Sequence, residues 1–159
     1  MKKVLVVGSA TVDIMLKSNG FRVLKSHQVP GGVAMCEVYG GKTEAGEMII
    51  VTGGAGTNVA AGLSLLGLTA ASLVRIGDDW MKERILENLK FYGVETSLVQ
   101  TAKEGKTALS VILVAGGGGR SIITYRGVSK EIDPALVDWE KIATADWVQI
   151  GALGGNMIL

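Results

Sequence analysis

Gly53, Gly54, Gly56 and Asn58 sit where an apolar run ending at Val51 passes into a helix-forming stretch, and of this 159-residue chain they are the residues best suited to handle a ligand. Glycine accepts φ > 0 and leaves no Cβ between the main chain and anything lying on it. The first amides of a helix lack partners within it, and the positive end of the dipole points the same way, so bare N–H groups at such a turn suit an anion or a hydroxyl-rich ligand. Asn58 is a mediocre helix former about one turn in, with an amide that both donates and accepts. A plain strand-to-helix connection would use one or two of these glycines; Asn58 shifts the balance towards a site.

The second candidate is acidic. Lys3 to Gly8 is a continuous apolar run suited to a strand buried on both faces of a parallel sheet. Ser9, Thr11 and Asp13 stand at its expected carboxyl end, the edge where open α/β sheets hold ligands. Set between Val12 and Ile14, Asp13 either caps a turn or reaches a ligand.

Other chemistry is weaker. Cys36 is the single cysteine and His27 the single histidine, with nothing to mark them as neighbours, so Cys36 reads as a small buried hydrophobe in a reducing compartment. Gly40-Gly41-Lys42-Thr43 resembles the end of a phosphate-binding Walker loop, but Cys36 stands where that motif needs its first glycine and no helix follows. Gly116 to Gly119 lie between two strand-like runs with no helix behind them, as a flexible tip would.

The elements that must carry these residues follow from periodicity. Residues 14–50 alternate short apolar runs with glycine-rich turns, as antiparallel hairpins do. A helix through Asn58 closes at Gly67, and Ala70 to Ile76 reads as a second buried strand. Gly77-Asp78-Asp79 turns the chain into a helix capped by Asp79 and ended before Gly93, with Met81, Ile85, Leu89 and Tyr92 on one apolar stripe. Thr107 to Val114 and Ser121 to Tyr125 form a further hairpin, Asp133-Pro134 opens a short helix, and Ala145 to Ile150 is another parallel-type strand. Strand, helix, strand, helix in this order predicts an α/β fold with a parallel sheet.

Composition bounds the function. Apolar residues make up 48% and charged residues 19%, which marks a globular chain long enough for one domain with a core. A net charge of +1 and five scattered arginines give nucleic acid little to neutralise. The apolar run after Lys2-Lys3 is too short for a signal peptide, and no window reaches the length of a membrane span, so a cytoplasmic protein without a membrane partner is expected.

Taken together, Val4-Leu5-Val6-Val7-Gly8 leading to Thr11-x-Asp13, the block Gly53-Gly54-Ala55-Gly56-Thr57-Asn58, Gly77-Asp78-Asp79, and the hairpin closing at Tyr125-Arg126-Gly127-Val128 resemble the amino-terminal half of the ribokinase-like (PfkB) carbohydrate kinase family. The resemblance implies a partial ribokinase-like α/β fold: a parallel sheet with flanking helices over residues 1–159, with lid segments at about 14–50 and 107–126 forming a small β-hairpin lid. It further implies that Asp13 grips the hydroxyls of a sugar or nucleoside, with Thr11 beside it, that Gly53 and Gly54 offer backbone contacts, and that Asn58 bonds the same polyol. An ionised carboxylate accepts two hydroxyl protons at once, in bonds about twice as strong as neutral ones. ATP and Mg²⁺ are the implied cofactors of the full-length enzyme, and homo-oligomerisation through the lid is its implied assembly.

Departures from the family pattern narrow the expectation. The second family signature, Gly-Ala-Gly-Asp, whose Asp is the base for the attacked hydroxyl, has no counterpart, and Gly54-Ala55-Gly56 is followed by Thr57. The 159 residues are therefore expected to be a truncated, inactive form with no catalytic residue, cofactor site or metal ligand of their own. Gly151 stands where some ribose kinases carry an acidic sugar contact, which puts ribose itself in doubt. Two other classes compete: an NAD(P)-binding oxidoreductase, to which Gly54-x-Gly56 points weakly, and a non-catalytic binding or dimerisation module built on the hairpins.

Overall fold

The structure, a computed structural model, describes residues 1–153. In chain order the elements are β1 (Lys3–Val7), β2 (Thr11–Ser18), β3 (Arg22–Lys25), β4 (Val33–Cys36), β5 (Glu47–Gly53), α1 (Ala55–Leu65), β6 (Thr69–Leu73), β7 (Arg75–Gly77), α2 (Trp80–Phe91), β8 (Gln100–Ala102), β9 (Ala108–Ala115), β10 (Arg120–Tyr125), α3 (Trp139–Ala143) and β11 (Trp147–Ile150). Single 3₁₀ turns cover Gly127–Lys130 and Pro134–Leu136. The chain divides into two compact units, the first comprising 1–12, 52–109 and 125 onwards, the second 13–51 and 110–124.

In the first unit a three-stranded parallel sheet runs in the order β11-β1-β6, with Leu5 opposite Val148 on one side and Ala71 on the other. Val4, Leu5 and Val6 are buried because β1 is the central strand, as its unbroken apolar run predicts. One cluster gathers Leu5, Leu73, Leu98 and Ile132, against which Val137 and Ile142 pack. Three of the four α2 stripe residues behave as the spacing requires: Met81, Ile85 and Leu89 are buried, whereas Tyr92 is the C-cap beyond the last helical residue and is half-buried. Full burial of three such side chains contributes on the order of 4–9 kcal/mol before entropy is subtracted. Asp79 caps that helix by accepting from the Met81 amide at 3.1 Å.

In the second unit four strands are ordered β10-β9-β2-β5, and β3 and β4 form a separate antiparallel pair with Arg22 opposite Cys36. At the β9–β10 turn Ala115 and Gly119 bond at 2.9 Å, and Gly118 takes φ +85°. The four glycines therefore close a hairpin.

Several elements differ from what the sequence predicts. β1 ends at Val7, and Thr11 and Asp13 lie inside a separate strand, β2, not at the tip of the first. Residues 70–76 form two strands, because the pairing with β1 ends at Val7 opposite Leu73: the Gly8 amide just beyond it donates to Leu73 O, and from Arg75 onward the new partner is β8. The segment opened by Asp133-Pro134 is one 3₁₀ turn. A helix, α3, follows at Trp139, capped by Asp138 through the Lys141 amide, although no long apolar period announces it.

Candidate functional site

The glycine turn is built against the end of β1. Gly54 is the N-cap of α1 with φ +102°, and a Cβ there would fall 2.8 Å from Ala10 Cα, so glycine is required on both counts. Ser9 takes up the helix start. Its hydroxyl accepts from the Ala55 amide at 3.3 Å and its carbonyl from the Gly56 amide at 2.8 Å. The expectation of bare amides at this turn is thereby overturned for Ala55 and Gly56, whose donors are spent inside the protein. The Thr57 hydroxyl sits 2.6 Å from the Gly53 carbonyl oxygen and 3.0 Å from that of Gly54, which holds the peptide at the strand–helix junction.

The predicted site residues keep different degrees of freedom. Gly53 is buried, Gly54 half-buried and Asn58 exposed, so of the three it is the Asn58 amide that meets solvent. Asn58 donates its backbone N–H to Gly54 O within the first turn, leaving its side chain to other partners. Thr11 is half-buried, and its hydroxyl has a long 3.4 Å contact to Val12 O, too long to occupy it fully. Asp13, half-buried, belongs to the second unit and stands two residues along β2 from Thr11, on the same face of the strand.

Sequence reasoning missed Ser9, read there as a residue at a strand end, because its two partners lie 46 and 47 positions away along the chain. It also missed the Asp79–Thr107 knot. Asp79 Oδ1 accepts from the Thr107 hydroxyl and Oδ2 from the Thr107 amide, both at 2.9 Å, while the same hydroxyl accepts from the Gly77 amide at 2.9 Å. The cap signal at Asp79 was legible; its second partner was not.

A cleft of about 470 Å³ opens on the Leu5 and Leu73 side of the parallel sheet, lined chiefly by aliphatic side chains such as Val7, Ile132, Ile142 and Ile150. It offers no carboxylate or amide side chain and does not suit a polyol. At its rim, a Cβ on Gly151 would fall 2.7 Å from Ala55 Cβ, so a larger residue needs α1 to shift. Among the described residues no three His, Cys, Asp or Glu side chains gather where they could hold a metal ion. Among them, too, no helix is long and apolar enough to cross a membrane.

A sheet of this topology carrying a strand–glycine–helix junction beside β1 defines a ribokinase-type α/β fold, and comparison with known proteins agrees. The pfkB family carbohydrate kinase profile matches residues 1–157, and the chain belongs to that family. It is 27% identical to the ribokinase of Bacillus subtilis over 158 residues, covering 94% of this chain and 46% of that protein. A deoxyribokinase of Salmonella typhi is 26% identical over 135 residues, or 85% of this chain and 39% of that one. Among solved structures, Arabidopsis thaliana ribokinase complexed with ribose and ATP superposes with a TM-score of 0.73 at 25% identity, over 94% of this chain and 45% of that one. The chain thus spans less than half the length of these relatives. Membership of a carbohydrate kinase family displaces the dinucleotide reading of Gly54-x-Gly56.

Proposed function

We propose that these residues form the sugar- or nucleoside-binding part of an ATP-dependent carbohydrate kinase. The observation that carries the reading is the family match over residues 1–157, which spans Asp13 and the whole Gly53–Asn58 block. In this reading the Asp13 carboxylate accepts two substrate hydroxyls, Asn58 donates to or accepts from a third, and Thr11 and the Gly53–Gly54 main chain complete the grip. The reaction of the whole enzyme is in-line attack of a substrate hydroxymethyl oxygen on the γ-phosphorus of ATP, releasing ADP. Such transfer depends on positioning and charge neutralisation. No Gly-Ala-Gly-Asp occurs in the 159 residues, so they bind without transferring. The close approach of Gly151 to Ala55 favours a polyol that needs no acidic contact at that point.

Titration of the 159-residue chain with ribose, fructose and nucleosides tests this. Binding of one of them, weakened roughly 10- to 100-fold by Asp13→Asn as a charge-assisted bond is lost, is expected. Equal affinity in Asp13→Asn overturns the assignment, and sugar-dependent ADP formation by the purified chain overturns its lack of transfer. A homo-oligomer through the lid is a second part of the proposal. It is favoured by β10 and β5 lying at the two edges of their sheet with Ile122, Ile123 and Met48 exposed, edges of the kind that take a partner strand.

A further inference from the structure

The chain passes between the two units four times, after Val12, Val51, Leu109 and Thr124. We infer that three buried hydroxyls, those of Thr57, Thr107 and Ser129, are positioning groups that hold the first unit's end of all four passages. Each is nearly inaccessible, at 1%, 0% and 3% exposure. A hydroxyl buried without a partner is costly, so where buried hydroxyls lie says what they are needed for.

Among the described residues of the first unit four have buried hydroxyls, namely Thr57, Ser72, Thr107 and Ser129, and three of them stand within five positions of a passage. Ser129 lies just after the last passage, and its hydroxyl sits 2.7 Å from both Ala10 O and Arg75 O, sharing one proton between them. Ala10 is the last residue before β2, so a single side chain ties the first and fourth passages together across 119 positions of sequence. Thr57 holds the carbonyls of Gly53 and Gly54, at the second. In the body of a helix a bond from Thr to the residue four back only competes with the ladder. Here the acceptor is the final strand residue, so the bond spans the junction. Thr107 sits at the third, joined to Gly77 and Asp79. Its neighbour Lys106 accepts from the Val128 amide at 2.9 Å, which brings the third and fourth together. The fourth buried hydroxyl, Ser72, donates to Gly56 O beside Thr57 and extends the same network.

The consequence is mechanical. Thr11, Gly53 and Gly54 are held at fixed ends, and bending of the strands that leave the first unit is confined to residues beyond these bonds. The inference concerns the fold alone; that the fixed residues touch a polyol rests on the function proposed above, and the test keeps the two apart by using no ligand.

Hydrogen exchange of the 159-residue chain, followed amide by amide, is the experiment, with Thr57→Val, Thr107→Val and Ser129→Ala removing each hydroxyl at nearly constant shape. Exchange is expected to quicken about tenfold, as loss of one buried hydrogen bond gives, at Asp13, Thr52, Ser110 and Thr124, while Val6, Ile85 and Leu89 keep their rates. Unchanged rates at the passages overturn the inference, and so does an equal rise in the core, which marks the hydroxyls as contributors to global stability alone. Where a valine variant fails to fold, Thr57→Ser and Thr107→Ser decide. These keep the hydroxyl and lose a methyl, so exchange at the passages must stay within twofold of the parent even if the melting temperature falls.

Discussion

Gly8 and Gly56 meet backbone to backbone. A Cβ on Gly8 would lie 2.6 Å from the Gly56 amide nitrogen, and one on Gly56 would lie 3.0 Å from the Gly8 carbonyl carbon. The end of β1 and the start of α1 are therefore packed as closely as main chain allows. Gly8→Ala and Gly56→Ala should each cost roughly 1–3 kcal/mol, the usual range for overpacking. Gly62, exposed in the same helix with open space around its Cβ position, is the control. Gly62→Ala should gain about 0.5–1 kcal/mol. Urea midpoints at constant m-value measure all three.

The same contact explains what could and could not be read from the sequence. That a glycine-rich turn joins a strand to a helix was legible in Gly53, Gly54 and Gly56, and the family resemblance rested soundly on it. Why the glycines are there was not. Gly54 and Gly56 are demanded at least in part by the Ser9–Ala10 segment and by Gly8, residues more than 40 positions earlier, and no local pattern announces such an approach. Buried hydroxyls share the difficulty: Ser129 reads as an ordinary turn residue until Ala10 and Arg75 are found beside it. Periodic features fared better, since the α2 stripe and the central strand depend on neighbours in sequence alone.

Asn58 separates ligand binding from packing in a way the glycines cannot. Its side chain is exposed on the first turn of α1, so Asn58→Ala removes an amide and leaves every described packing contact of Gly54 and Gly56 in place. Stability should change by less than about 0.5 kcal/mol, because Ala is the better helix former. Affinity for the polyol should fall roughly tenfold, the loss of one neutral hydrogen bond. Calorimetric titration beside a melting curve tells the two apart; a large drop in melting temperature would show that Asn58 serves the fold.

Asp78 and Asp79 are neighbours with opposite tasks. Asp79 caps α2 and accepts twice from Thr107, whereas Asp78 is exposed and pairs with Lys82 at 2.9 Å. Asp79→Ala should cost about 2–4 kcal/mol, a lost cap plus the buried Thr107 donors left without an acceptor. Asp78→Ala should leave the urea midpoint almost where it was, as surface pairs contribute little. Equal effects at the two positions would remove the knot from the account of stability.

Acid should act on Asp146 and Asp78, two surface carboxylates with a lysine Nζ 2.8 and 2.9 Å away, respectively. Asp146 accepts from Lys2 Nζ and from the Lys3 amide, each at 2.8 Å, and these bonds, the lysine's first, hold its carboxyl below the usual carboxylate range. Lys82 does the same for Asp78, chiefly by its hydrogen bond. A carboxylate with a lowered folded-state pKa stabilises the protein at every pH above its unfolded value near 4, and that contribution disappears as pH falls through the folded value. The partner lysines, Lys2 and Lys82, are raised above 10.5 by these same hydrogen bonds, so their contribution is complete below the unfolded lysine value and is lost only as pH climbs past the raised one. Stability should accordingly be flat with respect to these pairs from about pH 5 to 9 and should decline below about pH 4. The Asp146→Asn variant should decline less steeply. Urea midpoints measured from pH 7 down to pH 2.5 at low salt test this, and because both pairs are exposed, half-molar salt should flatten the difference between parent and variant.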